Sequence, residues 1–207
     1  MGAARFTNAD FVAAARAQAH ENGPATVTVD SVIQRLRAPR GSFYHRYPSR
    51  DVLLGELWLS TIVSFQEGFV AAIEADDGLA AALHTARWAR KHLEDARLLL
   101  VYSRHDFVEG EWPAALKEGV RAQAQRIHGC VNQFAQRTFG SGGQTQRRRS
   151  LFVLCELPLA AVKGYLERRE RPPALVDELI TLSYRAIVEH GKQLNQSESM
   201  QHLSSSA

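Results

Sequence analysis

No window of this chain alternates apolar and polar residues as a half-buried strand requires. The apolar residues recur at three and four instead, and glycines, prolines and capping residues cut the pattern into helical lengths. The expectation is an all-α fold. Phe11, Val12, Ala15 and Ala19 make a first stripe, which Thr7 or Asn8 is placed to cap and Asn22-Gly23-Pro24 to stop. Thr28 opens a second short helix over about 29–36, with Val29, Val32, Ile33 and Leu36 facing inward. Ala38-Pro39-Arg40 breaks it. A third short helix then runs through Tyr47, and Ser49 is placed to cap a long one from Arg50 to about Ala75. After Asp76-Asp77-Gly78, helical patterns cover about 79–94, 95–107, 113–138, 145–169 and 173–194, with Pro113 and Pro173 near helix starts. The division expected is a three-helix N-terminal domain of residues 1–48, a larger six-helix domain of 49–195, and a polar, disordered tail of 196–207.

Charge is unevenly placed along this pattern. The 207 residues carry a net charge of only +3. The first 50 hold seven arginines against Asp10, Glu21 and Asp30, a local balance of +4, so the excess positive charge lies in the first quarter of the chain. Cys130 and Cys155 form no CxxC and stand near no histidine cluster, which fits a reducing compartment and no disulfide or metal site. Without an apolar leader or an 18-residue apolar run, the expectation is a cytoplasmic protein with no membrane partner.

The positive charge concentrates in "RAPRGSFYHRYPSRD", residues 37–51. A short helix, a tight turn and a basic second helix make a helix-turn-helix pattern, whose second helix enters the major groove of DNA. Phe43 and Tyr47, four apart, are placed to anchor its inner face, while Gly41 and Ser42 are small enough to let the helix start approach the duplex. Read residue by residue, the arginines would also suit a solvated face and the aromatics a plain core.

Gly23, Thr28 and above all "GSFYHRYPSRDVLL" resemble the tetracycline-repressor (TetR) family of bacterial regulators over about residues 7–55. That family's signature runs Gly-Thr-Leu-Tyr-x-His-Phe-x-x-Lys-x-x-Leu. The resemblance implies that Tyr44 contacts the DNA backbone and can reach bases, that Arg46 and Arg50 bind phosphates, and that Tyr47 is core. The chain departs from the family at Ile33, at Leu36-Arg37 in place of the Ala-Gly turn, and at Pro39 in place of a Ser/Thr cap. Arg40 and His45, with Ser42 alongside, are candidate base readers, since arginine bonds guanine O6 and N7 in bidentate fashion. Thr28, Tyr44, Arg46 and Arg50 are assigned to phosphates, which position without specifying. Arg37 is open to either partner. Six to eight phosphate contacts in a dimer would give a salt dependence of log K with a slope of about −5 to −7.

In the larger part, Leu151, Cys155, Leu159, Val162 and Leu166 recur at three and four, and Leu175 or Val176, Leu179, Ser183, Ala186 and Ile187 line one side of the last helix. With Pro158 and the "YLERRERPP" connection, these two helices resemble the pair that forms a four-helix dimer interface in the family. The resemblance implies that Leu151, Cys155, Leu159, Val162, Leu179, Ser183 and Ile187 meet a second copy; an intrachain core is the other reading. It also implies an effector cavity near Trp88, Tyr102, His105, Trp112 and Phe134. The same aromatics would serve as bundle core, and His105 as a ligand handle, a satisfied core group or an exposed side chain.

Glu-x-x-His pairs, HExxH, GxSxG, Walker and GxGxxG motifs do not occur, so no catalytic residue, metal or cofactor is expected. The function expected is a homodimeric regulator, most simply a repressor released from a palindromic double-stranded DNA operator by a small-molecule effector. An all-α small-molecule-binding enzyme and a DNA-binding module without an effector are the rival readings.

Overall fold

The computed structural model describes residues 6–102 and 112–204, with side chains as far as Leu194. All regular structure among them is helical: α1 (Asn8–Asn22), a 3-10 turn (Pro24–Thr26), α2 (Val29–Leu36), α3 (Arg40–Tyr44), α4 (Arg50–Glu74), α5 (Gly78–Lys91), α6 (Leu93–Leu100), α7 (Ala114–Phe139), α8 (Gln144–Leu151), a π segment (Phe152–Glu156), α9 (Leu157–Glu167) and α10 (Ala174–Ser204). No helix among the described residues is long and apolar enough to cross a membrane. The chain divides into two compact units, one of residues 1–64 with 94–123, the other of 65–93 with 124–207. Each of α4 and α7 contributes to both.

The first unit starts with a capping box. The Thr7 hydroxyl accepts from the Asp10 amide while the Asp10 carboxylate accepts from the Thr7 amide, which settles the start of α1 on Thr7. Gly23 ends α1 at φ 87°, a conformation that side chains avoid, and the Tyr102 hydroxyl lies 3.1 Å from where its Cβ would stand. Ser49 caps α4 by accepting from the Val52 amide. Leu53, Leu54 and Leu57 of α4 are buried in one core with Phe11, Val32, Phe43 and Tyr47, and Leu98, Trp112 and Leu116 complete it. Residues just past 48 therefore pack with the first three helices.

In the second unit α9 and α10 both pack on α5. Arg90 of α5 makes a two-pronged contact with Asp177 of α10, at 2.8 and 2.6 Å, and also donates to the Pro172 and Pro173 carbonyls. Gly78 at the start of α5 is packed so closely by Phe134 and Tyr184 that a Cβ there would collide with both rings.

Three boundaries differ from the pattern in the sequence. The third helix stops at Tyr44, and a turn carries Tyr47 into the core. The pattern over 145–169 is broken by the π segment, where the Leu157 amide bonds back to the Phe152 carbonyl. Pro158 is the cause: its ring would collide with the carbonyl four residues back, and a widened turn relieves that. The helix α10 continues to Ser204, past the expected start of the polar tail, through residues such as Gln196, Glu198, Met200 and Gln201 that favour helix.

Candidate nucleic-acid interface

The two short helices that carry the basic segment are each fixed from within the chain. Thr28 opens α2 with its hydroxyl accepting from the Ser31 amide at 3.0 Å, and the Ser31 hydroxyl accepts from the Thr28 amide in return. The Thr28 hydroxyl only accepts within that box, which leaves its own proton to donate from an exposed residue. Arg35 of α2 reaches back to Glu21 and Gln18 of α1. At the end of α2, Arg37 sits in the left-handed region at φ 54°, ψ 38°, and its amide closes the helix onto the Gln34 and Ile33 carbonyls. This is the turn where the sequence has arginine in a glycine position, and the arginine takes the glycine's conformation.

The inner face of α3 is aromatic. Phe11 meets Phe43 edge-on at 5.8 Å and Tyr47 at 6.0 Å, and all three are fully buried. The Tyr47 hydroxyl donates to Glu56 at 2.8 Å and lies 3.3 Å from the Asn8 carbonyl, so the chain after α3 is pinned to both α4 and α1. Burial, followed by the Glu56 carboxylate, pushes that phenol far above its ordinary value, and it stays a neutral donor.

The outer face is open. Arg40, Gly41, Tyr44 and His45 are exposed, and a Cβ on Gly41 would meet nothing within 4 Å. Tyr44 leaves 49% of its surface in solvent while its ring edge rests on Phe43 at 5.2 Å. Arg40 pairs with Asp30 of α2 at 2.6 Å and lies over the Tyr44 ring at 5.8 Å. Both members of that pair are mostly solvated, so a phosphate or a base edge replaces Asp30 at little cost. Ser42 is half-buried; its carbonyl accepts from Arg46 at 3.1 Å, and the Arg46 guanidinium lies 5.8 Å from the Phe11 ring. Small, basic and aromatic groups thus stand on one side of a helix whose other side is locked. Residues 11–57 match the family model described as bacterial regulatory proteins, tetR family. Over this segment the chain is similar to that family. No curated protein matches it.

The match supports a DNA-binding transcriptional regulator. Among the residues assigned to DNA on the tetR-family pattern, Arg50 has a different occupation. Its guanidinium donates to the carbonyls of Val27, Pro24 and Ala25 and pairs with Asp51 at 3.1 Å. These carbonyls belong to the 3-10 turn and its end, where the Pro24 carbonyl also accepts from the Val27 amide, so Arg50 braces the approach to α2. Thr28, Arg37, Arg40, Tyr44 and His45 are exposed, and Ser42 and Arg46 half-buried.

In the second unit, α10 presents Leu175, Leu179 and Leu182 to solvent at 55%, 52% and 57% exposure, spaced four and three apart as one stripe. Phe152 and Leu159 are exposed as well. Of the expected interface residues, Leu159 and Leu179 are exposed and Leu151, Cys155, Ser183 and Ile187 half-buried. Val162 is 0% exposed within its own chain. Val176 is buried and Leu175 outward, and Leu175, Leu182 and Phe152 join the outward set. Both cysteines are free. Burial pushes the Cys155 thiol up to about 12 and raises Cys130 as well, which leaves both protonated and unreactive at neutral pH.

The effector candidates are divided between the two units. Tyr102 packs against the core of the first unit, and Trp112 is buried there beside Trp58 at 5.1 Å. In the second, Trp88 meets Phe65 and His92, and Phe134 meets Phe139 and Tyr184. His105 lies outside the described residues. His84 carries no signal in the sequence pattern: its Nε2 lies 2.6 Å from the Phe65 carbonyl, and burial lowers its basicity, so it is a neutral donor. Gln66 is only 7% exposed, and its Oε1 has no hydrogen-bond partner among the described residues.

Proposed function

We propose that the chain is a homodimeric, sequence-specific repressor that binds a palindromic operator and is released by a small-molecule effector taken into the helical part after residue 49. The observation that carries the DNA reading is the outer face of α3: Arg40, Tyr44 and His45 exposed over a fully buried aromatic anchor. Arg40 and His45 read bases, with Ser42 beside them. Thr28, Tyr44, Arg37 and Arg46 hold phosphates. With Arg50 engaged inside the chain, Arg37 and Arg46 supply four cationic phosphate contacts over two protomers, for a salt slope of about −4. The leucine stripe on α10 supports the homodimer, since three exposed leucines in line are a surface that water disfavours. A second copy also supplies the second half-site that one short helix needs. The Gln66 Oε1, without a hydrogen-bond partner among the described residues, supports the effector: an apolar molecule with one donor group would satisfy it.

Selection of bound sites from a random duplex pool tests the reading. A palindromic motif is the expected outcome; a single unrepeated half-site would remove the dimer, and no enrichment would remove sequence-specific binding. On the selected site, Arg40→Ala lowers affinity by about ten- to a hundredfold and relaxes preference at one base pair per half-site. An equal loss on every sequence would move Arg40 to the phosphate contacts. A compound that raises the melting temperature yet leaves operator affinity unchanged would argue for the effector-free module.

A further inference from the structure

The first unit holds a cluster of charged side chains that the DNA contacts do not use. Asp95, in the first turn of α6, accepts from Arg16 of α1 at 2.5 Å and lies 2.9 Å from Nε2 of His20, one turn further along α1. The same Arg16 guanidinium donates to the Thr61 and Ser60 hydroxyls of α4, both at 3.0 Å. One planar fork thereby ties α1 to two other helices. Burial alone would favour the neutral acid, but the His20 hydrogen bond and the Arg16 charge outweigh it and hold the Asp95 carboxyl below its ordinary value.

Beyond Asp95, the same side of the segment continues onto the reading helices. Leu98 is buried in the core that contains Phe11, Phe43 and Tyr47, and Tyr102 closes over Gly23 at the end of α1. Asp95 and Leu98 stand three residues apart on α6 and face one way, and Tyr102, just past its end, meets the end of α1. What they hold is α1, and α1 carries Phe11, on which both anchors of α3 rest. An ion pair of this kind adds little net stability over apolar packing of the same volume, but it fixes direction and distance in a way that leucines do not.

We propose that Asp95 is a positioning residue for DNA reading: through Arg16 and His20 its carboxylate sets the placement of α1, and through Phe11 the register of α3 on the duplex. The proposal rests on the DNA-binding reading above and names a residue for it outside the segment that resembles the family. Asp95 touches no DNA in this scheme and acts only through α1.

The test uses the full chain and the duplex that the wild type selects from a random pool, with a scrambled duplex of equal length beside it. Asp95→Asn lowers affinity for the selected duplex by about tenfold and leaves the scrambled duplex unchanged. Arg16→Met has the same effect, the double variant loses no more than either single one, and Asp95→Glu recovers most of the loss. Wild-type affinity in Asp95→Asn overturns the proposal. So does an equal loss on both duplexes, or a loss that follows a fall in melting temperature and is not recovered by glutamate. A wild type that selects no duplex defeats the sequence-specific reading first and the proposal with it.

Discussion

The outer face of α3 and the outward stripe of α10 both leave large side chains in water, and they do so on opposite terms. On α3 the exposed groups are Arg40, Tyr44 and His45, each polar at its tip, and the helix beneath them is held by Phe43 and Tyr47 at 0% exposure. On α10 the exposed groups are Leu175, Leu179 and Leu182, with no polar end at all. A polyanion suits the first surface, because counterion release favours binding without any apolar burial. Only another apolar surface suits the second, at roughly 25 cal/mol for each Å² removed from water. The same chain therefore carries two kinds of incompleteness, and they respond to different solvents: salt weakens the first and scarcely touches the second.

The widest gap between the two faces lies in what supports them. Phe43→Ala empties the centre of the first core and should cost about 3–5 kcal/mol of stability in urea unfolding, whereas Leu179→Ala should stay within about 0.5 kcal/mol when followed on the isolated chain. Comparable losses from the two would erase the contrast. Next in size, Leu179→Glu with Leu182→Glu should weaken self-association by about a hundredfold or more in sedimentation equilibrium, with an unchanged far-ultraviolet spectrum. Unchanged association would mean that the stripe meets something other than its copy.

Two smaller effects divide fold from function on α3 itself. Arg37→Gly relieves a left-handed arginine and should raise stability by about 1 kcal/mol while making the salt slope shallower by about 1 per half-site. A steeper or unaltered slope would take Arg37 off the phosphate. Gly41→Ala meets no atom of the chain, so it should add roughly 0.4–1 kcal/mol to stability and lower affinity for the selected duplex, measured side by side. Undiminished affinity would place Gly41 away from the groove.

Local signals are readable from the residues alone. Thr7 and Thr28 each stand before an apolar stripe with a partner three residues on, and both start their helices where the capping chemistry puts them. Periodicity alone marks Phe43 and Tyr47 as inward. The misses are non-local or cumulative. Nothing near Arg50 announces that three carbonyls some twenty-five residues upstream will take its guanidinium, and nothing near Asp95 names partners 79 and 75 residues away. Val162 shares a stripe with Leu159 by spacing, yet it is buried while Leu159 is exposed, and a count by threes and fours does not separate the two.

The first unit is discontinuous in the chain, assembled from residues 1–64 and a return segment of 94–123. A reading head built this way is not a module that recombination or cloning can lift out at a linker. A fragment ending at residue 57 would keep every residue of the family match and lack Leu98, Trp112 and Leu116 from beneath it. Grafting the proposed specificity onto another body would thus be a matter of exchanging the outer face of α3 residue by residue, with the return segment left in place.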